Sequence, residues 1–117
     1  MNNLIVFVLD NPDRCQDILE AWEAAGIRGV TILESSGLGR VRQSGLRDDL
    51  PLMPSLSDLF KRTEMHHRTL FTVVKSQEKV DAVVEATQSI IGDLEQENTG
   101  FLFVLPVSQV YGIGKMA

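Results

Sequence analysis

Both halves of the chain show the same order of patterns: an apolar strand, an amphipathic helix and a second strand. The predicted elements are strands at 4–9, 29–36, 68–74 and 101–107, and helices at 13–25 and 77–94. Two split strand–helix–strand halves of this kind are the ferredoxin-like arrangement. The sequence therefore predicts an α+β fold of order βαββαβ, with a four-stranded antiparallel sheet and two helices on one face.

The apolar pattern of the strands predicts self-association. The first strand reads LIVFVL, and such a run without polar positions is typical of a strand buried on both faces. Two helices cover only one face of a four-stranded sheet, so the other face would leave a large apolar patch on a monomer. We therefore predict a closed homo-oligomer. Trp22 and Cys15 fall on the apolar face of the first helix and are predicted core residues.

A glycine–arginine segment follows the second strand. Gly37, Leu38, Gly39 and Arg40 end the alternating pattern. Glycines at a strand exit let backbone N–H groups approach an anion, and the arginine adds a planar set of donors. Residues 41–67 then show no sustained periodicity, and loops of this length in compact domains are usually functional. We predict that this loop docks on a protein partner through Arg42, Arg47, Leu52, Leu56 and Phe60.

Charge and composition exclude several classes of function. The net charge is −5, but residues 37–68 carry +2 and the remainder −7, which favours a small anion or an acidic partner at the loop. An acidic chain is unsuited to general nucleic-acid binding, and no apolar run reaches the ~20 residues of a membrane span. The lone Cys15 and the absence of a secretory segment favour a reducing interior. We predict one cytoplasmic domain over residues 1–117, with no membrane-embedded part.

No catalytic or metal-binding set emerges from the motifs. The sequence contains no HExxH, Walker or nucleophile-elbow motif, so we predict no catalytic residues. His66 and His67 are adjacent, and neighbouring residues on a strand point to opposite faces. Solvated histidines at the start of a strand are the default interpretation. The alternative is one histidine from each subunit meeting on an oligomer axis, and no metal ligand is assigned.

The motif G-x-T-x-x-E-x-x-G-x-G-R, from Gly29 to Arg40, and the closing FLFVLPVSQVYGI resemble the nitrogen-regulatory P-II signalling family over nearly the whole chain. Members of that family are ferredoxin-like homotrimers that bind adenine nucleotides between subunits. Their long T-loop docks on transporters, channels or enzymes. The resemblance implies a homotrimer and a T-loop-like segment at about 37–67. It also implies an effector site at Thr31, Gly37, Leu38, Gly39, Arg40 and Gly92.

The chain departs from the family pattern where phosphates and magnesium bind. Val41 replaces the usual magnesium-coordinating glutamine, the connection 92–100 has no lysine, and Gln109 and Gly112 align with two phosphate-binding arginines. A triphosphate needs cations or oriented N–H groups to offset its desolvation, whereas that connection is acidic. We expect weak or no ATP binding, and easier binding of a less charged adenine ligand or another small anion. No cofactor is certain.

Two functions are compatible with these observations. The first is a non-enzymatic signalling protein that binds a small anionic effector between subunits and regulates a partner, such as a transporter or enzyme, through its loop. The alternative is a ligand-free adaptor, or a metal-tolerance-type trimer of the same fold, whose loop is a permanent contact. The glycine–arginine segment after the second strand favours the effector-binding regulator. The absence of the two phosphate-binding arginines and the leucine-rich loop favour the adaptor.

Overall fold

The structure is a computed structural model that describes residues 1–37, 65–97 and 99–113. The described elements are β1 Asn3–Leu9, α1 Cys15–Ala24, β2 Thr31–Gly37, β3 Met65–Val74, α2 Gln77–Ile91 and β4 Gly100–Pro106. Their order is the predicted one. The predicted partner-binding residues Arg42, Arg47, Leu52, Leu56 and Phe60 lie outside the described residues.

The sheet has the strand order β2–β3–β1–β4, and every neighbouring pair is antiparallel. Phe7 at the centre of β1 lies opposite Leu70 of β3 on one side and Leu102 of β4 on the other. The alternate β1 residues Ile5, Phe7 and Leu9 are buried in one core with apolar residues of both helices. The four-stranded antiparallel sheet with two helices on one face is therefore confirmed.

Local signals explain where the helices begin and end. Asn11 Oδ1 accepts the Asp13 N–H at 3.0 Å, and the residues Pro12–Arg14 form a 3-10 turn, so α1 begins later than predicted. The second helix ends at Ile91 and not at Leu94, because Gly92 adopts a φ of 88°. The third strand begins at Met65, so the last residues of the predicted loop pair with β2.

The core is centred on Trp22, which is fully buried as predicted. Its ring lies 6.4 Å from that of Phe7, and its indole N–H donates to Thr87 Oγ1 at 2.8 Å. The Thr87 hydroxyl in turn donates to the Val83 carbonyl at 2.7 Å. Every polar atom of this buried contact is thus paired, which avoids the penalty for an unsatisfied group. Cys15 is a free, buried thiol, as predicted.

The second face of the sheet is apolar and open in the single chain. Phe101, Phe103 and Leu105 of β4 are 57%, 40% and 47% exposed, and the two phenylalanine rings stack at 5.9 Å. Leu33 of β2 is also exposed. Pro106 is the last residue of β4, an edge strand, which is where a residue without an N–H is expected. The sequence prediction of an apolar second face is confirmed.

Candidate functional site

Two adjoining cavities lie where β2 begins and β3 ends. The aromatic cavity, of about 250 Å³, is bordered by Thr31, Phe71, Val73 and residues 110–113. The cationic cavity, of about 380 Å³, is bordered by residues 26–29 and 72–75, Lys79 and Ile113. Residues that border both cavities are Gly29, Thr72, Val73 and Ile113. The two cavities are therefore neighbours at this end of the sheet.

Short contacts hold the chain in place around these cavities. The Thr72 hydroxyl donates to the Gly29 carbonyl at 2.6 Å, which attaches the segment before β2 to β3. At the start of α2, Ser76 Oγ accepts the backbone N–H of Lys79 at 3.2 Å as an N-cap. The Lys79 ammonium reaches across to the Ala25 carbonyl at 3.3 Å, at the end of α1. These contacts hold the end of α1 next to the start of α2, and the segment before β2 next to β3.

The aromatic cavity combines a hydroxyl with apolar surface. Thr31 and Phe71 are directly opposite in the β2–β3 register, on the open face of the sheet. Tyr111, from the segment after β4, is 86% exposed. Sites for small molecules are typically concave and mostly apolar, with a few polar groups that fix orientation. This arrangement can hold a flat, largely apolar group.

Three of the six residues predicted to bind an effector are described, namely Thr31, Gly37 and Gly92, and of these only Thr31 borders the cavities. Gly37 is at the opposite end of β2. Gly92 follows the fifteen residues of α2, which span about 22 Å from the helix start beside the cavities. The structure therefore does not bring these three residues together within one chain. Leu38, Gly39 and Arg40 lie outside the described residues.

The acidic connection after α2 is also remote from the cavities within one chain. Asp93, Glu95 and Glu97 are exposed, and Asp93 Oδ1 accepts the Glu95 N–H at 2.9 Å. They follow Ile91 and precede Gly100, which pairs with Leu9 at the opposite end of β1 from Asn3. These carboxylates can repel a triphosphate in the cavities only if the cavities belong to a second subunit, so this repulsion stays a prediction.

Sequence reasoning missed three basic residues at the cationic cavity: Arg28, Lys75 and Lys79. Arg28 and Lys75 have no charged residue beside them in the sequence, and Lys79 directly follows Glu78. The signal that could have revealed Arg28 and Lys75 is the antiparallel pairing of β2 with β3, because it brings the residues before the one strand beside those after the other. Lys79 lies in the first turn of α2, four residues after Lys75.

The two adjacent histidines have different surroundings. His66 is exposed, as the default interpretation expects. The His67 side chain is only 15% exposed, and its Nε2 lies 3.8 Å from Asp10 Oδ1. Within residues 1–37, 65–97 and 99–113, no group of three or more His, Cys, Asp or Glu residues is placed to hold a metal ion.

Comparisons with known proteins identify the family. The family model of nitrogen regulatory protein P-II matches residues 3–116, so this chain belongs to the P-II family, a family of regulatory proteins. The structure is similar to the crystal structure of Arabidopsis thaliana PII bound to citrate, with a TM-score of 0.67. That match has 22% sequence identity and covers 99% of this chain and 86% of the other, and it shows a shared fold. No curated protein matches the chain.

The helices give no indication of a membrane span. Neither α1 nor α2, the helices in the part of the chain that the structure describes, is long and apolar enough to cross a bilayer.

Proposed function

We propose that this protein is a non-enzymatic, cytoplasmic P-II-like regulator. It binds a small anionic effector between the subunits of a homotrimer and acts on a partner, such as a transporter or enzyme, through segment 37–67. The observation that carries this proposal is the position of Thr31. This residue belongs to the motif on which the family resemblance rests, and it borders a concave, largely apolar cavity beside Phe71.

The surroundings of the site support a small effector. An adenine nucleotide is the candidate, because the resemblance implies that class and the aromatic cavity offers flat apolar surface beside a hydroxyl. The similar Arabidopsis PII is bound to citrate, a small organic anion, and this supports a small anion as the effector here. Arg40 belongs to this proposal through its place in the motif at the exit of β2.

The open sheet face supports the homotrimer. Apolar side chains of both edge strands, β4 and β2, remain exposed on this face in one chain, and soluble monomers rarely leave such a surface uncovered. A closed ring of identical subunits buries the same face of every copy. Sites between subunits can then combine the start of β2 in one chain with the Gly92 region of another, which a single chain keeps apart.

The sheet also supports a link between effector and loop. Segment 38–64 is flanked by the paired residues Gly37 of β2 and Met65 of β3, and Thr31 lies on the same strand as Gly37. An effector that binds better to one arrangement of the loop shifts the population toward it. We propose that occupancy of the site changes how Arg42, Arg47, Leu52, Leu56 and Phe60 contact the partner.

Arg40→Ala tests this proposal. We expect the dissociation constant for AMP, measured by isothermal titration calorimetry, to rise about tenfold, because a charge-assisted hydrogen bond to the anion is lost. Native mass spectrometry should show unchanged assembly. Arg62→Ala, which removes an equal charge from the same segment, serves as the control. Unchanged AMP affinity in Arg40→Ala would remove Arg40 from the site.

The second candidate function is the ligand-free adaptor, favoured by Gln109 and Gly112 at the positions of the phosphate-binding arginines. Limited proteolysis of segment 38–64 separates the two functions. Cleavage that AMP suppresses supports the effector-binding regulator. Resistance to cleavage without any ligand, unchanged by AMP, supports the adaptor.

A further inference from the structure

The two adjacent histidines at the start of β3 lie on opposite faces of the sheet. Leu70 and Val74 belong to the core beneath the helices, and alternate residues of a strand share a face. His66 therefore lies on the side of the sheet that faces the helices, whereas His67 lies on the open face. The His66 side chain is exposed, but the His67 side chain is mostly buried. Only His67 thus combines burial with a place on the open face.

Asp10 lies beside His67 and orients its ring. Leu9, the last residue of β1, is paired with Arg68, so Asp10 and His67 come side by side at the following position. His67 Nε2 lies 3.8 Å from Asp10 Oδ1, and the Asp10 side chain is 17% exposed. Two mostly buried side chains in contact have few alternative rotamers, so the imidazole is held in one orientation.

One ring nitrogen of His67 remains for another partner. The first nitrogen faces the Asp10 carboxylate, and the second forms no hydrogen bond in the part of the chain that the structure describes. Ser35 lies opposite His67 in the β2–β3 register, but its hydroxyl is bonded to Thr69 Oγ1 at 2.9 Å. Histidines that bind metal ions typically present one nitrogen to the metal while a carboxylate holds the other.

The strand order places His67 and Asp10 at the middle of the open face. β3 and β1 are the two central strands, with β2 and β4 at the edges. In a closed homotrimer whose open sheet faces point inward, the central strands of each copy lie closest to the threefold axis. The His67–Asp10 pairs of three copies then come together at one height, at the end of the sheet where β3 begins.

Burial of the open face creates a need for a shared partner at this height. An imidazole that donates its N–H to a carboxylate presents an acceptor at its other nitrogen. An acceptor that is buried without a partner destabilises an assembly. Three such nitrogens cannot satisfy one another, whereas one cation binds all three.

We propose that the homotrimer binds one divalent transition-metal cation on its threefold axis through His67 of each copy, with Asp10 orienting each imidazole. Three imidazole nitrogens suit cations of the zinc, nickel or copper class and leave a further position for water. Within the described residues of one chain no complete metal site exists, as expected when each copy contributes a single histidine. This inference rests on the homotrimer of the proposed function and adds a site to it.

Zinc titration of the metal-free protein tests this proposal. The full-length protein is treated with EDTA, and isothermal titration calorimetry and native mass spectrometry then give the dissociation constant and the stoichiometry. We expect one zinc ion per three chains, and loss of this binding in His67→Gln. In Asp10→Asn we expect the dissociation constant to rise about ten- to hundredfold, because the imidazole loses the carboxylate that orients it.

His66→Gln is the matched control. It removes the same type of side chain from the neighbouring position, on the opposite face of the sheet, and should leave zinc affinity and stoichiometry unchanged. Sedimentation velocity shows whether each variant remains a trimer. If His67→Gln does not assemble, the affinity of Asp10→Asn decides the assignment.

The outcomes separate this inference from the proposed function. A trimer that binds no zinc, binds one ion per chain, or binds it equally well in Asp10→Asn overturns the site and leaves the proposed function standing. A monomeric wild type overturns both the site and the homotrimer. One zinc ion per trimer that is lost in His67→Gln, weakened in Asp10→Asn and retained in His66→Gln supports the assignment.

Discussion

At the scale of single residues, the contact between Trp22 and Thr87 links the two helices inside the core. Both side chains are fully buried, and they are 65 residues apart in the sequence. The indole N–H is a hydrogen-bond donor that cannot reach water. Its bond to Thr87 Oγ1 therefore determines which orientation of the ring is stable.

Thr87→Val should lower the free energy of unfolding by about 1–3 kcal/mol, because it leaves the Trp22 N–H buried without an acceptor. Urea denaturation followed by circular dichroism measures this change. The control is the same substitution in a Trp22→Phe background, where no donor remains and the additional loss should nearly vanish. An equal loss in both backgrounds would show that the hydrogen bond is not the cause.

The sequence predicted which residues are buried here, but not how they pair. The i, i+3, i+4, i+7 spacing placed Trp22 and Cys15 in the core, since helical periodicity alone determines that face. The partner of the indole depends on how α1 packs on α2, and this information is not local. The same limit applies to Arg28 and Lys75, which border the same cavity only because β2 pairs with β3.

At the scale of elements, glycines with positive φ determine where α2 ends and where β4 begins. Gly92 has a φ of 88° and a ψ of −169°, a region that residues with a side chain rarely adopt. Gly100 has a φ of 108°, and a Cβ at this position would collide with the Val8 carbonyl of β1.

Gly100→Ala should therefore destabilise the protein more than Gly92→Ala. For Gly92→Ala we expect a loss of about 1–3 kcal/mol from backbone strain alone, since the nearest atom to the added Cβ, Gln96 Oε1, is 3.7 Å away. For Gly100→Ala we expect about 2 kcal/mol more, because the backbone of β1 must also move. Thermal or urea unfolding of both variants gives the difference, and equal losses would contradict this account of the β1–β4 pair.

Element types were predictable from the sequence, whereas their ends were less so. The apolar stripe of α2 continues to Leu94, which still packs against the core from the turn after the helix. Periodicity therefore predicted too long a helix, although Gly92 was present as a stop signal. The early start of β3 at Met65 follows from its pairing with Gly37, a contact that the local pattern does not contain.

At the scale of the whole molecule, the open sheet face is the feature that a single chain leaves unexplained. Its exposed apolar residues were foreseen from the two-layer fold, because two helices cannot cover both faces of four strands. The composition of the effector site was only partly foreseen. Thr31 borders the cavities, but the remaining predicted residues are either distant from it in one chain or lie outside the described residues.

Phe103→Glu should prevent assembly of the proposed homotrimer. Phe103 is 40% exposed on this face, and a buried carboxylate at a subunit interface is costly. Sedimentation velocity should show a monomer for this variant and an oligomer for the wild type. Ala24→Glu, on the exposed side of α1, is the matched control and should sediment like the wild type. An unchanged oligomer in Phe103→Glu would place the interface elsewhere.

The central claim is that this P-II family member is an effector-binding trimer, and native mass spectrometry with and without AMP tests it most directly. We predict the mass of three chains without ligand, and additional peaks for up to three bound AMP molecules when AMP is added. A monomer would contradict the proposed role of the open sheet face. A trimer that retains no AMP would contradict effector binding and favour the adaptor.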